Sequence, residues 1–326
     1  MNILKLFRVF IYILLTLYAF VLVFIVSLIG IVSLIVASII GLFILPELFG
    51  SPIGVLGFIA LIFIVAVSIM VRDLVVGPEI EKYVTSTGVD RSLILKYMGI
   101  ARSLIETMDI KSSIALHFTS VLPIAAFAYR RGLKGYGVVI GSLILGFPEE
   151  EARAIIAHEL AHIKNGDLIF MDLLTLPHRT SSTFLNLLRD VLKYLVGSLV
   201  GILLVPFVLL LYLPIFLIHA FTVLVSRAIS RFTEYRADET AAKYTSPQAL
   251  ARALVRYEEL AHILAKAIYL GRVRIDPKAI HVDIYRYLKA MKMRFWDKLY
   301  YMFLSTHPPT TKRIERLLKL QGLGEK

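Results

Sequence analysis

The sequence predicts a mainly α integral membrane protein, in which transmembrane helices are joined to an α+β domain with a small β-sheet. Three observations point there. The 326-residue chain is 58% hydrophobic with a mean hydropathy of +0.76, too apolar for a chain lying wholly in water. Two runs almost without charge, Val9 to Pro46 and Ile53 to Val71, match or exceed the roughly 20 residues of a bilayer-spanning helix. Beyond them, segments of helical and of alternating periodicity describe a folded domain, and one helical segment carries the spacing H-E-x-x-H.

Charge and cysteine usage narrow the class. The net charge is +12 and the pI about 9.7. There is no basic stripe with interleaved aromatics and no nucleic-acid motif, so no nucleic-acid partner is expected. In a membrane protein, excess Lys and Arg marks segments facing the cytoplasm and anionic lipid. The chain has no cysteine, which excludes a disulfide framework and a thiolate metal site.

From the N-terminus, Lys5 and Arg8 precede the first apolar run, and Pro46 with Gly50-Ser51-Pro52 makes a turn. The second run ends at Arg72-Asp73. Residues 1–72 are therefore expected to form a transmembrane hairpin with both ends on the positive, cytoplasmic side. The connection through Glu47, Leu48 and Phe49 carries no basic residue. A signal peptide fits poorly, because the apolar core is too long and no small-residue cleavage site follows.

Residues 73–193 begin the folded domain. Asp90-Arg91-Ser92 opens a helical pattern, followed by strand-like runs at 113–119, 122–129 and 138–145. The Arg130 to Gly135 stretch reads as a turn that pairs the last two runs as a hairpin. A strand just ahead of an H-E-x-x-H helix offers an edge to which an extended peptide can add, or serves as ordinary sheet packed on the helix. Pro148 and Glu149-Glu150-Glu151 then start the motif helix, since acids complement the positive end of its dipole. Gly166 ends it.

Within this helix His158 and His162 project from one face a turn apart, as two ligands to one ion require. Glu159 lies beside them, placed to reach a metal-bound water. The metzincin continuation needs glycine at 165 and histidine at 168. This chain has Asn165 and Leu168, so a third ligand comes from farther along. A third apolar block, residues 194–225, interrupts the domain; a tight hairpin is expected there, its turn between Val205 and Pro214 and its first leg lengthened by the flank from Phe184 to Leu192. Residues 226–326 complete the domain as helices. At their start Glu234 and Asp238 are four apart, on one helix face. They supply a carboxylate ligand and a carboxylate able to hold a ligand histidine by its other ring nitrogen.

The segments HELAHIKNGD, SRFTEYRADETAAKY and STHPPTTKRIERL resemble the HtpX-type membrane zinc metalloproteases, gluzincins related to the CAAX prenyl protease I group. The resemblance implies a cytosolic, zincin-like metalloprotease domain in a multi-pass protein of the cell membrane. It implies a zinc endopeptidase acting on membrane-protein or unfolded polypeptide substrates in quality control. By position it makes His158, His162 and Glu234 the zinc ligands and Glu159 the general base. Asp238 and Asn165 become supporting polar residues, and His307 a histidine that faces the site. One departure is Ala125-Ala126-Phe127, where the family often has Asn-Ala-Phe.

With two neutral histidines and a carboxylate, one zinc ion keeps a charge of about +1 and an open position for water. The ion acidifies the water, Glu159 takes its proton, and the scissile carbonyl is attacked. His307 is either the donor that stabilises the oxyanion or part of a plain helix start, His307-Pro308-Pro309. Other classes fit less. A CAAX-type prenyl-protein protease needs a larger membrane bundle, a non-catalytic scaffold would not need intact Glu159 and Glu234, and a metal transporter needs His and carboxylates within the apolar runs, which are nearly bare of them.

Overall fold

The computed structural model describes residues 89–197, 199–269, 276–291, 300 and 305–322. The expected hairpin of residues 1–72 lies outside them. The chain divides into two compact units, residues 72–173 with 224–326, and residues 1–71 with 174–223.

The first unit opens with α1, Arg91–Thr107. Asp90 caps it, its carboxylate accepting from the Ser92 amide and hydroxyl at 2.7 Å; an aspartate there satisfies a donor that the first turn leaves unpaired. Three strands follow: β1 (Ile114–Thr119), β2 (Ala126–Arg130) and β3 (Tyr136–Gly141). β3 is central, parallel to β1 and antiparallel to β2. The expected hairpin of the second and third runs is thus present, though β2 starts later than the alternation suggests. The run expected at 138–145 is also shorter as a strand. Pairing stops at Gly141, and Ser142–Leu145 forms a short helix, α2. A side chain at Gly141 would meet the Leu122 and Pro123 carbonyl oxygens at 2.4 and 2.3 Å, so the loop before β2 closes over the strand at that point.

α3, Glu149–Lys164, is the motif helix. Pro148 stands one position before the helix proper, and its carbonyl accepts from Glu151 and Ala152. Ala152, Ala154, Ile156, Ala157, Leu160 and Ala161 are buried, which places α3 among α1, the sheet and α6 (Pro247–Tyr269). A helix apolar on nearly every side belongs inside a core. Its first turn holds a buried pair: Arg256 on α6 donates to Glu151 at 2.6 and 3.3 Å and to the carbonyls of Pro277 and Ile280 at 2.9 and 2.6 Å. α7 (Ile284–Ala290) and α8 (Thr310–Leu320) follow, α8 packing on α6.

Between α3 and α6 run α4, Asp167–Val196, and α5, Leu199–Tyr244. In the second unit, the described residues are the last part of α4 and the first part of α5. Ser181 Oγ on α4 lies 3.0 Å from His219 Nδ1 on α5. The hairpin turn is not between Val205 and Pro214: α5 is helical through both Pro206 and Pro214, and among the described residues between α4 and α5 the non-helical position is Gly197. A proline removes one backbone donor, and a membrane helix tolerates it where neighbouring groups re-satisfy the carbonyl it frees. Among the described residues, one helical stretch, Ile215–Tyr244, contains an 18-residue window of mean hydropathy 1.5, long and apolar enough to cross a membrane.

Candidate metal centre

Three helices of the first unit build the centre. α3 presents His158, Glu159 and His162, all on its second half; α5 presents Glu234 and Asp238; α8 presents Arg313. The i, i+4 spacing sets the two imidazoles beside one another, their centroids 4.8 Å apart and their planes nearly perpendicular. Glu234 reaches both. One oxygen lies 3.4 Å from His158 Nε2 and the other 3.6 Å from His162 Nε2. His158, Glu159, Glu234 and Asp238 are buried.

This set fits a zinc ion. Bonds of about 2.0–2.1 Å at tetrahedral angles separate neighbouring donor atoms by roughly 3.3 Å, close to the two distances here. Among the described residues, His158, His162 and Glu234 are the group whose donor atoms converge, all within 4.8 Å of one another. Glu234 Oε2 is buried with no aligned hydrogen-bond donor, although Arg313 Nη1 is 3.1 Å away. A buried acceptor left so is costly unless a further partner takes it up.

The outer ring nitrogens are held by carboxylates, and not equally. His162 Nδ1 lies 2.9 Å from Asp167 Oδ2 in hydrogen-bond geometry. His158 Nδ1 is 3.0 Å from Asp238 Oδ1 but has no aligned hydrogen bond. Asp238 is already committed to Arg313, which donates to its two oxygens at 2.6 and 2.8 Å. Burial pushes the His158 imidazole down, but Asp238 and Glu234 more than reverse this and raise it to about 10. A cation bound there would displace that proton. Burial lowers His162, and the charge on His158 lowers it further.

Of the residues singled out in the sequence, the structure brings together His158, Glu159, His162, Glu234, Asp238 and His307. The His307 ring is exposed, with Nδ1 3.0 Å from Glu234 Oε1, and this hydrogen bond raises its pKa. Asn165 is not beside a ligand imidazole. Its side-chain oxygen accepts from Thr240 at 3.2 Å and its carbonyl from Arg236 at 3.0 Å, so it fastens the end of α3 to α5. Two residues were not anticipated. Asp167 shares a helix-terminating turn with Gly166, and only the five-residue offset from His162 hints at its contact. Arg313 lies 155 residues from His158, and nothing in its own surroundings announces it.

The centre lines a cavity of about 580 Å³. Ala126, Phe127 and Ala128 of β2 form one part of the wall, and Leu254 and Tyr257 of α6 another. β2 is an edge strand of the sheet, as β1 is at the other side.

Comparison with known proteins adds an independent observation. Residues 100–321 match the profile of Peptidase family M48. The chain is 32% identical over 208 residues to a protease HtpX homolog of Persephonella marina, an alignment covering 60% of this chain and 64% of that one. It is 32% identical over 204 residues to a protease HtpX homolog of Pyrococcus abyssi, covering 60% and 63%. The aligned part thus spans a little under two thirds of these relatives. A crystal structure of S. mikatae Ste24p superposes with a TM-score of 0.45 at 17% identity, covering 96% of this chain and 67% of the other.

Proposed function

The chain belongs to Peptidase family M48, and from that premise we propose that it is a zinc metalloendopeptidase embedded in the cell membrane. It cuts membrane-protein or unfolded polypeptide substrates on the cytoplasmic side, as a quality-control protease. The observation that carries this reading is the convergence of His158, His162 and Glu234 next to Glu159.

His158, His162 and Glu234 would hold the ion. Zinc, when bound, supplies a Lewis acid that makes water a nucleophile near neutral pH and polarises a carbonyl. The protein's own groups do the rest. Glu159, buried in the cavity wall, takes the proton of the attacking water and passes it to the leaving amine. Arg313 offsets the charges of Glu234 and Asp238, so two buried carboxylates coexist. His307, the exposed member of the group, is placed to donate to the substrate's developing oxyanion. The edge of β2 gives an extended peptide main-chain groups to pair with, while the apolar wall from α6 receives a side chain. The apolar stretch within α5 supports the membrane location.

Proteolysis of a loosely folded protein by the full chain in detergent tests this reading. Cleavage is expected to stop with a zinc chelator and to return when zinc is restored. Cleavage indifferent to chelation, by protein shown to be zinc-free, would overturn it.

A further inference from the structure

Resting on the reading of His158, His162 and Glu234 as a zinc site, we propose that Asp167 is the positioning residue for His162. It sets which ring nitrogen carries the hydrogen and where the other one points. Arg236 holds Asp167 in place for that task.

The contact arises from how α3 ends. Asn165 still has helical dihedrals, and Gly166 then takes φ +73°, the left-handed conformation that costs any residue with a Cβ. The chain turns back, and Asp167, the first residue of α4, is carried under the last turn of α3. There Asp167 Oδ2 meets His162 Nδ1 at 2.9 Å. Asp167 is 1% exposed. Its other oxygen accepts from Arg236, whose same nitrogen donates to the Asn165 carbonyl at 3.0 Å. The carboxylate is therefore fixed from both sides, and its charge is balanced.

The consequence for His162 follows from donor and acceptor rules. A neutral imidazole has one N–H and one lone pair, and a carboxylate can only accept. Asp167 thus places the hydrogen on Nδ1 and leaves the lone pair on Nε2, the nitrogen 3.6 Å from Glu234. His158 has only a looser counterpart: Asp238 Oδ1 lies 3.0 Å from its Nδ1 without an aligned hydrogen bond, because Asp238 is committed to Arg313. The geometry of the histidine pair therefore depends most on Asp167.

The test compares full-length Asp167→Asn, Arg236→Gln and Asp172→Asn with the parent chain. Zinc Kd is read by competition with a chromophoric chelator, and geometry by the d–d absorption of the cobalt-substituted protein. Asp167→Asn keeps the shape but presents an amide that can offer either a donor or an acceptor. It is expected to weaken zinc ten- to a hundredfold, the range for groups that orient metal ligands, and to alter the cobalt spectrum. Arg236→Gln is expected to do the same by a smaller factor, and it carries the test should Asp167→Asn fail to fold. Asp172→Asn, on the same helix as Asp167, breaks the 2.6 Å pair with Arg130 of β2 and should move neither reading. An unchanged Kd and cobalt spectrum in folded Asp167→Asn, even with a lower melting temperature, would overturn the proposal alone. Failure of the parent chain to bind zinc would overturn the metal reading itself.

Discussion

The two ends of α3 both bury charge, and they do so in opposite ways. In the first turn Glu151 and Arg256 are closed upon one another: both carboxylate oxygens are taken, and the guanidinium is finished off by two backbone carbonyls. Two turns on, His158, Glu159, His162, Glu234 and Asp238 crowd together with an orphaned oxygen on Glu234 and an unaligned nitrogen on His158. The first cluster has nothing left to bind with. The second has donor atoms converging on a common point. The lesson is that buried charge alone does not mark a functional site; unspent bonding capacity does.

Three single substitutions and one pair can break or sharpen this contrast. Glu234→Ala is expected to have the largest effect, removing one of the three converging donors and with it both zinc and activity. Metal analysis of the purified variant checks this, and a full complement of zinc would force the ligand set to be redrawn. Glu159→Gln should leave zinc content unchanged while turnover falls by about 10²- to 10⁴-fold, since the proton acceptor is lost and the donors remain. Equal turnover at equal zinc would remove Glu159 from the reaction. The closed cluster should answer differently. Glu151→Ala strands the Arg256 charge and is expected to cost about 3–5 kcal/mol of stability, read by denaturant unfolding, with zinc affinity of the folded protein unaltered. Pairing it with Arg256→Leu should recover most of the loss.

Local patterns made α3 readable: acids at its start, an apolar majority, Gly166 at its end. The same four-residue spacing put His158 beside His162 and Glu234 on the face of Asp238. What stayed hidden were pairings between distant segments. Nothing local to Arg256 marks it as the partner of Glu151, which the sequence offers only as one of three acids complementing the helix dipole. Arg313 lies in a basic stretch between exposed Lys312 and buried Ile314. No local period records that it meets Asp238 across 75 residues. Asn165, which the resemblance makes a supporting polar residue, bonds Thr240 and Arg236 of α5, partners that no local pattern marks. The turn in the apolar region was misplaced because prolines were read as breaks, whereas an apolar helix accommodates them.

Arg313 has one more consequence, in time. The motif histidines and Glu234 are made well before it, and Arg313 follows His158 by 155 residues. At roughly 5–20 residues per second of synthesis, that is a delay of about 8–30 s. Until α8 docks, Glu234 and Asp238 lack the guanidinium that balances them, and two neighbouring carboxylates resist being driven into a dry interior together. Completion of the centre thus waits for α8, and a nascent chain emerges with its cutting edge still blunt.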